Sequence, residues 1–316
     1  MPLERRVRWI VDLLNKLQKM GPQEELPMAK HRVMAGDTYR RLGWMVVGKG
    51  PKAATEIDHM VPVEGGAIRV RIYTPHEPGP WPLYVFLHGG GWCIGNIEER
   101  DSRCREVVVG ARCAVASVEY RLAPENAYPI PAEDTYAALV WCVEHAEELN
   151  IDPERVAIGG ESAGANLAAV ACLMARDRSG PKLVHQWLDV PATDLTMSQP
   201  AFREIPDGYL LDTDIIMQFR ECYLGDVTRD TEPYASPLLA EDHSDLPPAW
   251  VMSCEFDKLR DDGRAYADKL TKAGVPTTYR LFKGHCHPTF ALTRALPSAK
   301  AYERDAIAAL SKALHP

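Results

Sequence analysis

The pattern of hydrophobic and polar positions changes near residue 57. Over residues 1–50, apolar residues recur at helical spacing between Pro and Gly interruptions, so this segment is predicted to be helical. Two strand-like runs follow at residues 57–63 and 67–73, and Gly65-Gly66 between them predicts a β-hairpin. A sheet is therefore expected from this point of the chain onward.

A regular alternation of strands and helices begins after the hairpin. Residues 83–87 form a continuous apolar run, which is typical of a strand covered on both faces. Further strands are predicted at residues 114–118, 156–158, 249–253 and 277–282, with helices around 136–149, 163–176 and 299–314 between and after them. Such an alternation predicts the α/β class, a mostly parallel sheet with helices on both faces.

One segment breaks the alternation. Residues 198–240 contain a helical patch at 214–223 and Pro-rich connections, but no pattern typical of a strand. An insertion of this kind in an α/β sheet often covers the end of the strands where ligands bind. The N-terminal helices are candidates to join it.

The bulk properties exclude several classes of function. The chain has 36 Lys and Arg against 44 Asp and Glu, a net charge of −8, and no basic stripe that would bind nucleic acid. No stretch is long enough to span a membrane, and polar residues interrupt the first apolar run too early for a signal peptide. The eight cysteines are spread singly, which favours reduced thiols and a cytoplasmic location.

The N-terminal helix itself is amphipathic. Its apolar face consists of Val7, Ile10, Val11, Leu14 and Leu17, at helical spacing. Such a face can lie on a membrane, but it more often covers a protein surface.

A serine stands in the pattern G-x-S-x-G between a predicted strand and a predicted helix. The residues are Gly160-Glu161-Ser162-Ala163-Gly164. A nucleophile on a tight strand-to-helix turn needs small flanking residues, because strand and helix approach each other closely. The alternative is a glycine-rich turn in which Ser162 only caps the helix. The strand before and the helix after favour Ser162 as a nucleophile.

Three consecutive glycines follow the strand at residues 83–87. They lie in His88-Gly89-Gly90-Gly91-Trp92. Acyl transfer needs hydrogen-bond donors for the oxyanion of the tetrahedral intermediate, and glycine amides are open to approach. We expect the amides of Gly90, Gly91 and Ala163 to be these donors. A flexible turn or a phosphate-binding loop is the alternative, and no phosphate-loop pattern is present.

A serine nucleophile of this kind needs an acid and a base further along the chain, in that order. Asp257 and His287 satisfy the order, and each follows a predicted strand. His287 would take the Ser162 proton, and Asp257 would orient the imidazole. From order alone His285, Asp261 and Asp262 remain alternatives, and His-x-His could also be a metal fragment. No other cluster at metal-ligand spacing supports a metal site.

Taken together, these motifs resemble the hormone-sensitive-lipase-like family of bacterial esterases, over nearly the whole chain. Residues 88–92 look like its HGGG motif, and residues 159–164 resemble its GGDSAG signature. Further similar segments are residues 120–125, 233–238, 246–249 and 257–263. The resemblance identifies the last position of Gly284-His285-Cys286-His287 as the catalytic histidine.

The resemblance also implies the fold, the domains and the chemistry. It implies an α/β-hydrolase fold in which residues 1–50 and 198–240 form a helical cap over a catalytic domain of residues 51–197 and 241–316. It implies carboxylesterase activity on short- to medium-chain acyl esters without a cofactor, and it leaves a homodimer open. An amidase or deacetylase with the same triad and a ligand-binding protein on the same scaffold are the alternatives, although relatives of the second kind have lost the histidine.

The chain departs from the family pattern at a few positions. Glu161 replaces the commoner Asp, Ala165 replaces Gly and Lys258 replaces Pro, and these changes leave the chemistry intact. Pro288-Thr289-Phe290 replaces the usual Gly-Phe after the histidine, which is expected to reshape the pocket beside His287.

The substrate pocket is predicted to be aromatic. Trp92 beside the glycines, and Tyr209 and Phe219 in the cap, are its predicted lining residues. How the cap side chains turn decides the depth of the pocket.

Overall fold

The computed structural model describes residues 2–20 and 27–316. Residue 1, residues 21–26 and the Leu17 side chain, which belong to the predicted cap, lie outside the described part of the chain.

Eight strands form a single sheet in the order β1-β2-β4-β3-β5-β6-β7-β8. β1 and β2 are antiparallel to their neighbours, and the six strands from β3 to β8 run parallel. The strands are β1 Thr55–Val63, β2 Gly66–Thr74, β3 Trp81–Leu87, β4 Ala114–Glu119, β5 Ile151–Glu161, β6 His185–Asp189, β7 Ala249–Phe256 and β8 Thr277–Cys286. The predicted α/β class and the hairpin at Gly65 are both confirmed.

Helices cover both faces of this sheet. The α-helices are α1 Arg5–Met20, α2 Met28–Thr38, α3 Trp44–Val46, α4 Asp101–Ala111, α5 Ile130–Glu144, α6 Ala146–Leu149, α7 Ala163–Asp177, α8 Pro200–Glu204, α9 Thr213–Leu224, α10 Arg260–Lys272 and α11 Pro297–Leu314. Shorter turns are the π-helix Tyr39–Gly43 and the 3-10 helices Glu98–Arg100, Val227–Thr231, Pro237–Leu239 and His287–Ala291. No helix of the described residues is long and apolar enough to cross a membrane.

The apolar run of β3 explains how the two faces are filled. Leu83, Val85 and Leu87 belong to a core shared with α5, α7 and α10, whereas Tyr84 and Phe86 pack on the other face against α4 and α11. Because side chains alternate along a strand, a strand covered on both sides must be apolar at every position.

The sequence pattern missed one strand. All five side chains of β6, His185–Asp189, are buried, yet the strand contains His, Gln and Asp. Hydrogen bonds satisfy two of its polar groups: Gln186 donates to Pro247 O at 2.9 Å, and Asp189 accepts from Trp187 at 2.8 Å. These partners come from tertiary structure, so an apolar run could not mark the strand.

The N-terminal helix α1 covers the loop after β8. Val7 and Val11 are buried against Cys286, Leu296 and Ala299. α9, within the 198–240 insertion, lies instead over the loop after β3, where Tyr223 stacks on Trp92 with 4.3 Å between the ring centroids. α1 and α9 thus cover two different loops at the same edge of the sheet.

Candidate active site

Ser162 lies on a strained turn between β5 and α7. Its φ is 55° and its ψ is −119°, a region that residues with a side chain rarely adopt. The flanking glycines are sterically required: a Cβ on Gly160 would lie 2.5 Å from Leu87 O, and one on Gly164 would lie 2.2 Å from the same oxygen. The Ser162 amide donates to Asp189 O at 2.8 Å, which ties the turn to β6.

A continuous chain of hydrogen bonds connects Ser162 to a buried carboxylate. His287 Nε2 lies 2.8 Å from Ser162 Oγ, and His287 Nδ1 lies 2.7 Å from Asp257 Oδ2. The other carboxylate oxygen of Asp257 accepts the Leu259 amide at 2.9 Å. Since Nδ1 faces the carboxylate and donates to it, Nε2 carries the lone pair that faces the serine hydroxyl. This arrangement can remove a proton from Ser162.

The parallel strands bring these groups together. Ser162 follows β5, Asp257 follows β7 and His287 follows β8, so all three stand at the carboxyl edge of the sheet. The glycine loop after β3 lies at the same edge. Ligands bind at this edge in open α/β sheets.

His285 has a different environment from His287. It is fully buried, stacks on Phe282 at 3.7 Å and bonds through Nδ1 to Thr289 Oγ1 at 3.0 Å. Its Nε2 lies 3.0 Å from Ser298 Oγ and 3.2 Å from a carboxylate oxygen of Glu4. Both ring nitrogens are therefore engaged: Nδ1 bonds within the loop, and Nε2 ties the loop to α11 and to the residue before α1.

The alternative acids are also engaged elsewhere. Asp262 is buried and accepts the amides of Thr193 and Asp194, each at 3.0 Å. Asp261 pairs with Arg260 at 2.8 Å. Both lie in the first turn of α10, where carboxylates commonly occur. The structure brings Asp257 alone of these three to His287.

The glycine loop adopts backbone conformations that favour glycine. Gly90 has φ +124° and Gly91 has φ +56°. The amides of Cys93 and Ile94 donate to Gly90 O, which closes the loop into a turn. The Gly90 and Gly91 N–H groups have no acceptor in the described part of the chain. Ala163 is the first residue of α7, so its N–H has no intrahelical partner either. Three backbone donors are thus free to bind an oxyanion.

His88 supports this loop from below. It is buried and stacks on Tyr120 with 4.4 Å between ring centroids, and Tyr120 Oη donates to His88 O at 2.8 Å. Burial lowers the pKa of the His88 imidazole from 6.5 to about 4. A neutral, packed ring at this position holds the start of the loop without taking part in proton transfer.

A cavity of about 210 Å³ opens beside Ser162. Its walls are mostly apolar and come both from the 198–240 insertion and from the rest of the chain. The lining residues are Gly89, Gly90, Gly91, Trp92, Arg100, Glu161, Ser162, Ala192, Met197, Leu211, Ile216, Phe219, Leu259, His287, Pro288, Phe290 and Ala291. Two of the three predicted pocket residues, Trp92 and Phe219, are in this wall. Pro288 and Phe290 are there as well, so the departure after His287 does shape the pocket.

Tyr209 is not in that wall. Its ring packs against Phe256 at 5.1 Å, in the small core that α1 forms with the loop after β8. The predicted pocket role of Tyr209 is therefore corrected: an aromatic residue in the cap can serve the interface between the cap and the sheet instead of the cavity.

Two charged lining residues were missed from the sequence. Arg100 and Glu161 form an ion pair at the edge of the cavity. They are 61 positions apart in the chain, and no local pattern signals their contact. The part of the chain that the structure describes contains no group of three or more His, Cys, Asp or Glu side chains that could hold a metal ion.

The chain is similar to known proteins over most of its length. A family model described as the α/β-hydrolase fold matches residues 84–291. Carboxylic ester hydrolase LipN of Mycobacterium tuberculosis is 42% identical over 245 residues, which cover 75% of this chain and 65%, slightly less than two thirds, of LipN. Carboxylesterase NlhH of the same species is 40% identical over 252 residues, which cover 78% of this chain and 79% of the NlhH chain.

A solved structure extends the similarity to nearly the whole chain. The ester hydrolase EH1AB1, from the metagenome of Lake Arreo, superimposes with a TM-score of 0.93 at 36% identity and covers 98% of both chains. That structure contains a derivative of bipyridine phosphonate.

Proposed function

This chain belongs to the α/β-hydrolase family and is a carboxylesterase, and we propose that it hydrolyses short- to medium-chain acyl esters with Ser162 as the nucleophile. The observation that carries the proposal is the unbroken hydrogen-bond chain from Asp257 through His287 to Ser162 Oγ. It ends on a strained turn that exposes the hydroxyl to an apolar cavity.

The reaction proceeds in two acyl-transfer steps. His287 Nε2 takes the proton as Ser162 Oγ attacks the ester carbonyl, and the same proton then goes to the leaving alcohol. In the second step His287 takes a proton from water as the water attacks the acyl-enzyme; the bond between the acyl group and Ser162 Oγ then breaks, His287 returns the proton to Ser162 and the carboxylic acid leaves. Asp257 holds the imidazole in the required tautomer and stabilises its cationic form.

Backbone donors stabilise the oxyanion in both steps. The amides of Gly90, Gly91 and Ala163 have no acceptor among the residues that the structure describes, and they flank Ser162. One such donor contributes about 100- to 1,000-fold to the rate in serine hydrolases.

The cavity supports the proposed size of the acyl group. Its volume of about 210 Å³ is below the range of about 300–1,000 Å³ that is typical of pockets for drug-sized ligands. Apolar side chains such as Leu211, Ile216 and Phe219 suit a short acyl chain, which they would remove from water.

The direct test is hydrolysis of p-nitrophenyl acetate and butyrate by the wild type and by Ser162→Ala. We expect the substitution to reduce turnover by at least about 10,000-fold without loss of fold, because no other group can take the place of the nucleophile. Ser311→Ala, on α11 away from the cavity, is the matched control and should retain wild-type turnover. Turnover that survives in Ser162→Ala would refute the proposal.

The alternative activities have less support. The relatives are ester hydrolases, and His287, which a non-catalytic scaffold could lose, is present and hydrogen-bonded to Ser162. Matched p-nitrophenyl ester and p-nitroanilide substrates separate esterase from amidase. We expect the ester to be turned over faster.

Domain division and compartment are further parts of the proposal. We assign residues 1–50 and 198–240 to the cap and residues 51–197 and 241–316 to the catalytic domain. All eight cysteines are free thiols, which favours a reducing compartment such as the cytoplasm. The homodimer stays a prediction that light scattering would test.

A further inference from the structure

A buried cluster of charges lies beside Ser162, and two of its members, Arg100 and Glu161, also line the edge of the substrate cavity. It consists of Arg100, Arg103, Glu161 and Asp189. Each side chain is at least three-quarters buried, and that of Asp189 is completely buried. Burying charges is costly unless they are paired and hydrogen-bonded, so such a cluster beside a nucleophile needs an explanation.

Glu161 connects the cluster to the oxyanion loop. It precedes Ser162, and its Oε1 accepts the Gly89 amide at 3.4 Å and an ion-pair hydrogen bond from Arg100. Its Oε2 lies 3.4 Å from a guanidinium nitrogen of Arg103. Burial alone would raise the pKa of Glu161, but Arg100 and Arg103 outweigh it and hold that pKa below its usual value. The carboxylate therefore stays charged.

Asp189 connects the cluster to the nucleophile itself. Its backbone oxygen accepts the Ser162 amide at 2.8 Å. Its side chain pairs with Arg103 through one oxygen and accepts Trp187 Nε1 and Tyr302 Oη through the other. The position of the Ser162 backbone thus depends on a residue that Arg103 anchors.

Arg103 also reaches the loop that carries His287. The guanidinium carbon lies 5.5 Å from the ring centroid of Phe290, 5.0 Å from that of Trp187 and 5.7 Å from that of Phe86. Phe290 is three residues after His287, and Phe86 is in the strand that leads to the glycine loop. One side chain on α4 therefore contacts the supports of all three catalytic loops.

We propose that Arg103 is a positioning residue. It bridges Glu161 and Asp189 and packs on Phe290, and it thereby holds the oxyanion amides, Ser162 and His287 at the correct distances from one another. This inference rests on the proposed esterase function. The planar guanidinium suits the role, because it can bind two carboxylates while its faces pack on aromatic rings. Arg103 does not touch the substrate and takes no part in proton transfer.

Two explanations of the cluster make different predictions. If Arg103 only stabilises the fold, its loss acts by leaving the buried Asp189 carboxylate unpaired, and neutralising that carboxylate should restore both stability and activity. If Arg103 positions the loops, neutralising Asp189 restores stability alone. The double variant Arg103→Met/Asp189→Asn therefore separates the two.

The experiment compares kcat and KM on p-nitrophenyl butyrate, per folded molecule, for Arg103→Met, Arg103→Lys and the double variant. Arg105→Met is the matched control, because Arg105 is on the same helix and pairs with Glu56 outside the cluster. We expect kcat of Arg103→Met to fall by about 100-fold with KM within about twofold, because loop misplacement acts mainly in the transition state. Arg103→Lys should be intermediate, and Arg105→Met should match the wild type.

The double variant decides the outcome. We expect its unfolding temperature to recover toward the wild type while its kcat stays low. Recovery of kcat together with stability, or an unchanged kcat in folded Arg103→Met, would overturn the proposal. If Arg103→Met does not fold, Glu161→Gln keeps an acceptor for Gly89 and should still lower kcat, by about tenfold, with an unchanged KM. An unchanged kcat there would equally overturn it.

A failure of the esterase proposal would look different. In that case Ser162→Ala would retain turnover, whatever the behaviour of the Arg103 variants.

Discussion

The two walls of the cavity are built by different forces. On the sheet-side wall, Ser162 and His287 are joined by a hydrogen bond of 2.8 Å, and His287 is held by a further bond of 2.7 Å to the buried Asp257. The buried ion pair of Arg103 and Asp189 is packed nearby. On the cap-side wall, the apolar side chains of Leu211, Ile216 and Phe219 line the cavity. Directional bonds fix atoms to fractions of an ångström, whereas apolar packing fixes mainly a volume. We therefore propose that the sheet side carries out the chemistry and that the cap side selects the substrate.

The largest effect should come from breaking the sheet-side wall at His287. His287→Ala removes the base, and we expect kcat to fall by at least about 10,000-fold on every ester tested. His285→Ala is the matched control, two residues away in the same loop, and should lose stability through its lost hydrogen bonds while retaining most turnover per folded molecule. If His285→Ala proved to be the inactive variant, the assignment of the base would be wrong.

The second largest effect is expected at Gly91, where the two walls of the cavity meet. A Cβ on Gly91 would stand 2.1 Å from the Phe219 ring, and its φ of +56° disfavours any side chain. We expect Gly91→Ala to lower kcat by about 100-fold, because the loop must move its oxyanion donors. Gly91→Ala/Phe219→Ala should recover part of that loss as the clash is relieved. A double variant no better than Gly91→Ala would show that Phe219 does not press on the loop.

The third effect concerns stability behind the sheet-side wall. Burial raises the pKa of Glu303 from 4.5 to about 7. As pH rises from about 4.5 to 7, the unfolded chain loses this proton before the folded protein does, so the folded state loses stability, by up to about 3 kcal/mol. We expect Glu303→Gln to raise the free energy of unfolding at pH 8 by about 2 kcal/mol and to change it little at pH 4. Urea unfolding at both pH values is the measurement, and an equal effect at both would contradict the shift.

The smallest effect should come from the cap-side wall. Phe219→Ala removes a ring from the cavity, so longer acyl chains should fit while the catalytic distances stay unchanged. We expect the ratio of kcat/KM for p-nitrophenyl octanoate over acetate to rise by about tenfold. Tyr209→Ala, in the same cap segment but outside the cavity, is the control and should leave the ratio unchanged. An equal fall in kcat/KM for all esters in Phe219→Ala would instead indicate that Phe219 supports the chemical step.

Local signals were sufficient to predict that Ser162, Asp257 and His287 come together at the sheet edge. The turn at Ser162 needs glycines at fixed positions, the loop after β3 needs glycines with positive φ, and the acid and base follow strands of a parallel sheet. Each of these requirements is met by a short motif of consecutive residues, which can be recognised in the sequence. The apolar runs of β3 and β7 mark the sheet in the same way.

Contacts between segments that are distant in the sequence could not be predicted from such local patterns. β6 is buried but polar, because its partners are residues such as Arg103 and Pro247. Tyr209 and Phe219 are both aromatic residues of the cap, and only packing decides that one faces the cavity and the other faces Phe256. The sequence therefore predicted which polar groups meet at the sheet edge better than it predicted which residues surround them.

The central claim, that the Ser162 hydroxyl is the group that attacks the ester carbonyl, can be tested by trapping. A p-nitrophenyl alkylphosphonate reacts with an activated serine: an oxygen–phosphorus bond forms and p-nitrophenolate leaves. We predict one phosphonyl group per chain on the peptide that contains Ser162, with loss of esterase activity in step with labelling and no labelling of His287→Ala on the same timescale. Labelling of another residue, or full activity in protein labelled at Ser162, would contradict the account.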